Sequence, residues 1–181
     1  MHNVEMNILW FIQEHMRNGT LDGLMILISA AGGWGIPWLA AAIGFLCTKR
    51  YRKYGAAVLA ALVLCLLVGN LALKNLVARE RPFSEIEGLL LLVEEPLDFS
   101  FPSAHSMTSF AAAGVIFAAN RRLGFGALAA AALIAFSRLY LFVHYPSDVL
   151  AGAVLGLLVS AFVLWAFRLL RKPRDTARFK A

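Results

Sequence analysis

Ionisable side chains are costly beside long apolar runs, so the few that stand there mark where chemistry is to be sought. Three clusters qualify: Lys74 with Arg81-Pro82, Pro102-Ser103-Ala104-His105, and Ser137-Arg138 followed by His144 and Asp148. Together they hold what hydrolysis of a phosphomonoester or diphosphate requires, namely fixed positive charge, a nucleophile, and an acid for the leaving oxygen. Lys74, Arg81 and Arg138 supply the charge, the arginines through a bidentate fork. Ser103 and the backbone amide of Ala104 add donors at a helix start, where the macrodipole favours an anion. If Asp148 hydrogen-bonds one ring nitrogen of His144, the other can attack phosphorus and form a phosphohistidine; His105 then protonates the leaving oxygen and later activates water. Three protein cations stand where magnesium otherwise would, so no metal or other cofactor is expected.

Taken singly, these residues have plainer uses. Lys74 and Arg81 could snorkel to headgroups, Ser103 could only cap a helix, and Asp148 could be a favourable first-turn acid after Pro146. A lone His105 or His144 is more often a satisfied interface histidine than a catalyst. What favours chemistry is convergence, and convergence depends on how the chain is threaded.

The elements that must do the positioning are membrane helices. The chain has 181 residues, 60% of them hydrophobic and 15% charged, with a mean hydropathy of +0.71. That composition excludes an ordinary soluble domain. Apolar runs at Ala56–Leu73, Ser106–Asn120, Leu123–Val143 and Val149–Phe167 read as four spans, with Gly124 and Gly126 giving close packing. Leu21–Ala31 and Ile36–Cys47, divided by Gly32-Gly33-Trp34-Gly35, are each short; they are two tilted helices or one broken one, and two are favoured. Residues 4–17 pattern as an amphipathic interfacial helix. The expectation is therefore an all-α polytopic bundle of six transmembrane helices with an N-terminal interfacial helix. Residues 1–172 form one transmembrane phosphatase domain and 173–181 a basic cytoplasmic tail.

Charge sets the orientation. Lys49–Lys53, Arg121-Arg122 and Arg168–Lys180 hold 12 of the 17 Lys and Arg residues, and these ends are predicted to be cytoplasmic. The 79–101 connection carries six acids, faces outward, and brings all three clusters to the outer face. Within it, Gly88–Val93 is too short to span; it either dips into the outer leaflet as a lipid gate or packs its leucines on the bundle. The net charge of +6 serves orientation, so nucleic acid is not an expected partner. Cys47 and Cys65 lie in apolar segments without CxxC spacing and read as core residues. The N-terminus lacks a basic n-region and cleavage site, and reads as part of the mature chain.

The ordered spacings K-x6-RP, P-S-x-H and SR-x5-H-x3-D resemble the type 2 phosphatidic acid phosphatase and vanadium haloperoxidase superfamily. That resemblance implies the same roles: His144, His105 and Asp148 catalytic, with Lys74, Arg81, Ser103, Ala104 and Arg138 binding phosphate. Length and helix pattern are similar to the small bacterial integral-membrane members, which remove phosphate from polyprenyl diphosphates or phosphatidylglycerol phosphate. The implied setting is a bacterial-type plasma membrane, with lipid phosphates as substrates and membrane lipids as surroundings. The spans argue against a soluble haloperoxidase. A non-enzymatic lipid transporter or sensor would leave Asp148 unexplained. One departure is Ala104, where the family usually has glycine: its methyl group excludes positive φ and crowds the site.

Overall fold

A computed structural model describes residues 2–170, and every regular element among them is helical. The helices are α1 (His2–Met16), α2 (Gly19–Gly32), α3 (Ile36–Cys47), α4 (Arg52–Cys65), α5 (Lys74–Val77), α6 (Ala104–Ala119), α7 (Arg121–Tyr140) and α8 (Pro146–Leu169). The expected tail at 173–181 lies outside the described residues. Polar residues punctuate the chain where it turns. Asn18 Oδ1 accepts from Leu21 N, opening α2, and Asn120 Oδ1 accepts from Arg122 N and Leu123 N, opening α7 directly after α6.

Three stretches are long and apolar enough to cross a bilayer: Arg52–Glu85, Arg121–Tyr140 and Pro146–Leu169. The first is continuous because α4 passes through a π-helical segment, Leu66–Leu73, directly into α5. The apolar α6 has only 16 residues and is the central helix, packed against α4, α7 and α8. Eight of its residues are buried, most of them small: Ser106, Met107, Ser109, Ala111, Ala112, Ala113, Val115 and Ile116. Small residues let backbones approach closely, which is how a bundle in lipid gains its packing energy.

The closest of these approaches joins α6 to α8. A Cβ built on Gly152 would lie 2.6 Å from the Ser103 carbonyl oxygen, and one on Gly156 would meet the Met107 carbonyl oxygen. Asp148, Gly152 and Gly156 recur every fourth residue, so the face of α8 that packs on α6 also carries the acid. Gly124 is likewise pressed on Phe117, but Gly126 meets nothing within 4 Å and has no packing role of the kind its composition implied.

The two short N-terminal helices pack along the bundle in succession. Tyr140 Oη donates to Asp22 and Arg138 to Ser29, while Gly32 faces Ile134, so α2 descends alongside the last turns of α7. Farther on, Trp38 Nε1 donates to Ser109 Oγ at 3.0 Å and Gly55 packs against Ala42 and Leu46 at the start of α4. The two helices thus run the same way through the bundle, bent by 49° at the glycine-rich break. Neither is long enough alone to cross a bilayer, and only taken together are they long and apolar enough. Cys47, expected in the core, is exposed at the end of α3, whereas Cys65 is buried.

Helix α1 does more than lie in an interface. Its buried face, Glu5, Leu9 and Ile12, packs over the end of the bundle where α7 stops and α8 begins, and Gln13 donates to the Tyr140 carbonyl at 2.8 Å. Of the two readings of Gly88–Val93, the structure has the packed one: Leu89, Leu91, Leu92 and Val93 lie against the Tyr140–Tyr145 clusters, and Leu90 is exposed.

Candidate active site

Each cluster reaches the same end of the bundle by a different local device. Lys74 begins α5 just past the π-helical segment, a distortion that recurs at functional sites, and is buried. Ala78 then takes a left-handed conformation, φ 46°, with its N–H on the Lys74 carbonyl, and the chain turns back to place Arg81. Ser103 opens α6: its hydroxyl accepts from Ser106 Oγ at 3.1 Å, and its own N–H donates to the Asp148 carbonyl, fastening the starts of α6 and α8. Arg138 lies in the last turn of α7, His144 in the tight connection after it, and Asp148 in the first turn of α8, accepting from Tyr145 N at 3.0 Å.

These residues surround one cavity of about 620 Å³. Lys74, Arg81, Ala104, His105, Arg138 and His144 line its polar end, and Leu39, Leu62, Val63 and Leu66 its apolar end, with Asn70 and Thr108 also on the wall. Gly33 comes close to His105; a Cβ there would stand 3.8 Å from Nε2. Among the described residues, Arg138 Nε is the one buried side-chain polar atom with no hydrogen-bond partner. A buried guanidinium N–H without an acceptor is a place for an anion.

Seven of the eight residues singled out from sequence are therefore at the cavity or directly behind it. The exception is Ser103, which is fully buried and acts as the cap of α6, not as a wall of the cavity. Ala104 costs nothing in backbone strain, because it occupies the first helical position and is not among the residues with positive φ. The concern that its methyl group forbids the required conformation does not apply here.

The link between His144 and Asp148 also differs from the direct hydrogen bond expected. His144 Nδ1 is 3.7 Å from Asp148 Oδ2, too long for one. Ser100 Oγ fills the gap, donating to Asp148 Oδ2 at 2.5 Å and standing 3.3 Å from His144 Nδ1. On the far side, Arg81 Nη1 is 3.2 Å from His144 Nε2. A guanidinium can only donate, so Nε2 is the acceptor and the ring proton sits on Nδ1. Burial, with the charges of Arg81 and Arg138, holds the His144 pKa far below its ordinary value in spite of Asp148. The ring is a neutral imidazole whose lone pair lies on the nitrogen at the cavity.

Asp98 also lines the cavity, and three further residues stand behind it; none of the four was found in the sequence. Ser100 is the relay just described. Arg79 binds Asp148 Oδ1 and Ser147 Oγ through Nη1, both at 2.7 Å, and Glu5 Oε2 through Nη2 at 2.7 Å, with its guanidinium 3.9 Å above the Tyr145 ring. Glu5 in turn accepts from Ser147 N at 2.9 Å. The only available signals were an arginine two places before Arg81 and an acid on the buried stripe of an amphipathic helix. If His144 is the nucleophile, Ser100→Ala should lower kcat by at least about 10²-fold with the fold intact, because losing the group that fixes the tautomer of a catalytic imidazole costs up to about 10⁴-fold. Circular dichroism and steady-state kinetics on the purified variant check this.

Comparisons with known proteins identify the family of the chain. Residues 51–172 match the model of the PAP2 superfamily. The chain is 31% identical over 160 residues to an undecaprenyl-diphosphatase of Sulfolobus acidocaldarius, covering 87% of this chain and 77% of that one. It is 36% identical over 135 residues to the decaprenylphosphoryl-5-phosphoribose phosphatase of Mycobacterium tuberculosis, covering 72% and 70%. The crystal structure of a transmembrane PAP2-type phosphatidylglycerolphosphate phosphatase from Bacillus subtilis superposes with a TM-score of 0.75 at 25% identity, over 99% of this chain and 89% of that one. With the motifs gathered at one cavity inside an apolar helical bundle, the chain belongs to the PAP2 superfamily and is a membrane lipid phosphatase.

Proposed function

We propose that this phosphatase hydrolyses a polyprenyl diphosphate at the outer face of a plasma membrane through a phosphohistidine on His144, without a metal ion. The observation that carries the reading is the two-ended cavity: cations and a neutral imidazole at one end, leucines at the other, as a phosphate on an isoprenoid tail requires. Two relatives bear names that place their substrates among polyprenyl phosphates.

In this mechanism His144 Nε2 attacks the terminal phosphorus in line. The P–N bond forms as the P–O bond to the leaving phosphate breaks, the electron pair goes to that oxygen, and His105 protonates it. His105, now neutral, takes a proton from water as the water oxygen attacks phosphorus; the P–N bond breaks and inorganic phosphate departs. Lys74, Arg81 and Arg138 hold the equatorial oxygens, with the amides of the first α6 turn beside them. Asp148 acts through Ser100 to keep the Nδ1 proton in place, and Arg79 holds Asp148.

The deciding experiment measures turnover of undecaprenyl diphosphate and phosphatidylglycerol phosphate side by side with purified protein in detergent. We expect the higher kcat/KM for the diphosphate, unchanged activity in EDTA, and competitive inhibition by vanadate, which mimics the five-coordinate phosphoryl group. The second reading, phosphatidylglycerol phosphate, is favoured by the solved Bacillus subtilis structure and prevails if that lipid turns over faster. Activity that collapses in chelator and returns with magnesium overturns the metal-free mechanism.

For topology we propose five crossings, α2 with α3, α4 with α5, then α6, α7 and α8, in place of six. The C-terminus is then cytoplasmic, and α1 stands outside beside the active site. In a chain with Cys47 and Cys65 replaced, an impermeant thiol reagent should label cysteines at Glu14 and Glu87 but not at Arg121. With six crossings Glu14 would be protected together with Arg121.

A further inference from the structure

The phosphate cradle contains an anion of its own. Asp98 Oδ1 accepts from Arg81 Nη2 at 2.6 Å, and Oδ2 pairs with Lys74 Nζ, so a single carboxylate bridges two of the three cations that line the cavity. Around it Arg81 is saturated. Nε donates to the Asp98 carbonyl at 2.7 Å, Nη1 to the Val143 carbonyl and His144 Nε2, and Nη2 to Asp98 Oδ1 and the Phe99 carbonyl. All five guanidinium hydrogens therefore have acceptors within the protein. A phosphoryl group can reach Arg81 and Lys74 together only by displacing the Asp98 carboxylate.

Asp98 is built to be displaced. It lies in the irregular segment between the Pro82–Glu85 turn and α6, and its side chain keeps 53% of its exposure, whereas Lys74 and Arg81 are buried. The two cations hold its carboxyl down at about 2 against the opposing effect of burial, so it remains an anion throughout the working range of pH.

We propose that Asp98 is a tethered competitor for the phosphate seat: it weakens the binding of every phosphate, so that free phosphate and water-soluble phosphate esters are held poorly while phosphates carried on a lipid tail still bind. The inference rests on the reading of Lys74, Arg81 and Arg138 as the phosphate cradle. Its basis is an exchange of like for like. A free phosphate that enters replaces two charge-assisted contacts with similar ones and gains little. A lipid phosphate gives the same exchange and in addition buries its tail along Leu39, Leu62, Val63 and Leu66. An enzyme open to an aqueous pool of phosphate is thereby kept from inhibition by its own inorganic product.

Asp98→Asn tests this with purified protein in detergent micelles. The inhibition constants of inorganic phosphate and vanadate should each fall about tenfold, the effect of removing one competing charge from the seat. The KM values for p-nitrophenyl phosphate and for undecaprenyl diphosphate should fall by a similar factor, so that the Asp98→Asn protein is inhibited by inorganic phosphate at concentrations the native protein tolerates. Glu94→Gln and Glu95→Gln remove the same charge from exposed sites in the same segment and should leave all of these constants unchanged. If vanadate competes with substrate in the native protein but Asp98→Asn leaves its inhibition unchanged or weaker, Asp98 merely positions the cations and the proposal is overturned. If vanadate fails to compete even in the native protein, the cradle reading falls as well. Should Asp98→Asn not yield folded protein, Asp98→Ser is measured in the same way.

Discussion

His144→Ala should be inactive on every substrate, lipid or soluble, with a loss on the order of 10⁴-fold or more, because removal of a nucleophile eliminates the covalent path itself. His105→Ala should behave differently. Its proposed task is to protonate the leaving oxygen, a contribution of about 10²–10⁴-fold that depends on how poor the leaving group is. On a lipid diphosphate the variant should show that full deficit; on p-nitrophenyl phosphate, whose phenolate departs readily, the phosphorylation step should survive as a burst of p-nitrophenol, followed by slow turnover because His105 no longer activates water. Labelling with a 32P-phosphorylated substrate and quenching in alkali, where phosphohistidine persists, gives an independent check: His105→Ala should accumulate label and His144→Ala should carry none. Equal losses of the phosphorylation step for His105→Ala on both substrates would remove it from the role of general acid. The single Ser100 bridge between His144 and Asp148 fits this division of labour, since no comparable carboxylate partner stands behind His105 among the described residues.

Gly152→Val should damage both stability and chemistry from a position that touches no substrate. The new Cβ would fall 2.6 Å from the Ser103 carbonyl oxygen, and this obstacle is backbone that cannot rotate aside. Helices α6 and α8 must separate, at a cost of about 1–3 kcal/mol by the usual scale for overpacked cores. The same shift moves His105 relative to His144, and a displacement near 1 Å in a catalytic pair costs on the order of 10²-fold in kcat. Thermal unfolding in detergent and steady-state kinetics read the two effects. Gly126→Val, at a glycine with open space around it, is the matched control and should change neither. If Gly152→Val retains native kcat, the contact between α6 and α8 does not set the catalytic geometry.

The cationic residues and the proposed catalytic ones were legible in sequence because intramembrane charge is rare and because their spacing encodes helix ends. Lys74, Arg81, His105, Arg138, His144 and Asp148 all stand within a few residues of an apolar run. Loop charge placed those ends on one face before any coordinates. What sequence concealed were the partners in irregular or interfacial segments. Asp98 and Ser100 lie in the acidic 79–101 connection, where acids read collectively as an outward-facing loop, and no periodicity indicates which of them turns back into the bundle. Glu5 occupies a stripe whose pattern fits a membrane surface as well as a protein surface. The passage through α2 and α3 was ambiguous for a related reason: 14 and 12 residues fit neither one straight span nor two full ones, and the 49° bend that reconciles them is a tertiary property.

The contact between Glu5 and the start of α8 ties the geometry of the site to segments far apart in the chain. Glu5 Oε1 accepts from Ser147 N, so α1 grips the first turn of α8. The carboxylate behind the nucleophile is fixed only when residues separated by almost the whole sequence have come together. A partly inserted chain can therefore present its arginines to the bilayer, but it cannot hold Asp148 in register. On the proposed mechanism, hydrolytic competence should therefore appear only once α1 and α8 have met, and a chain inserted short of α8 should be catalytically silent.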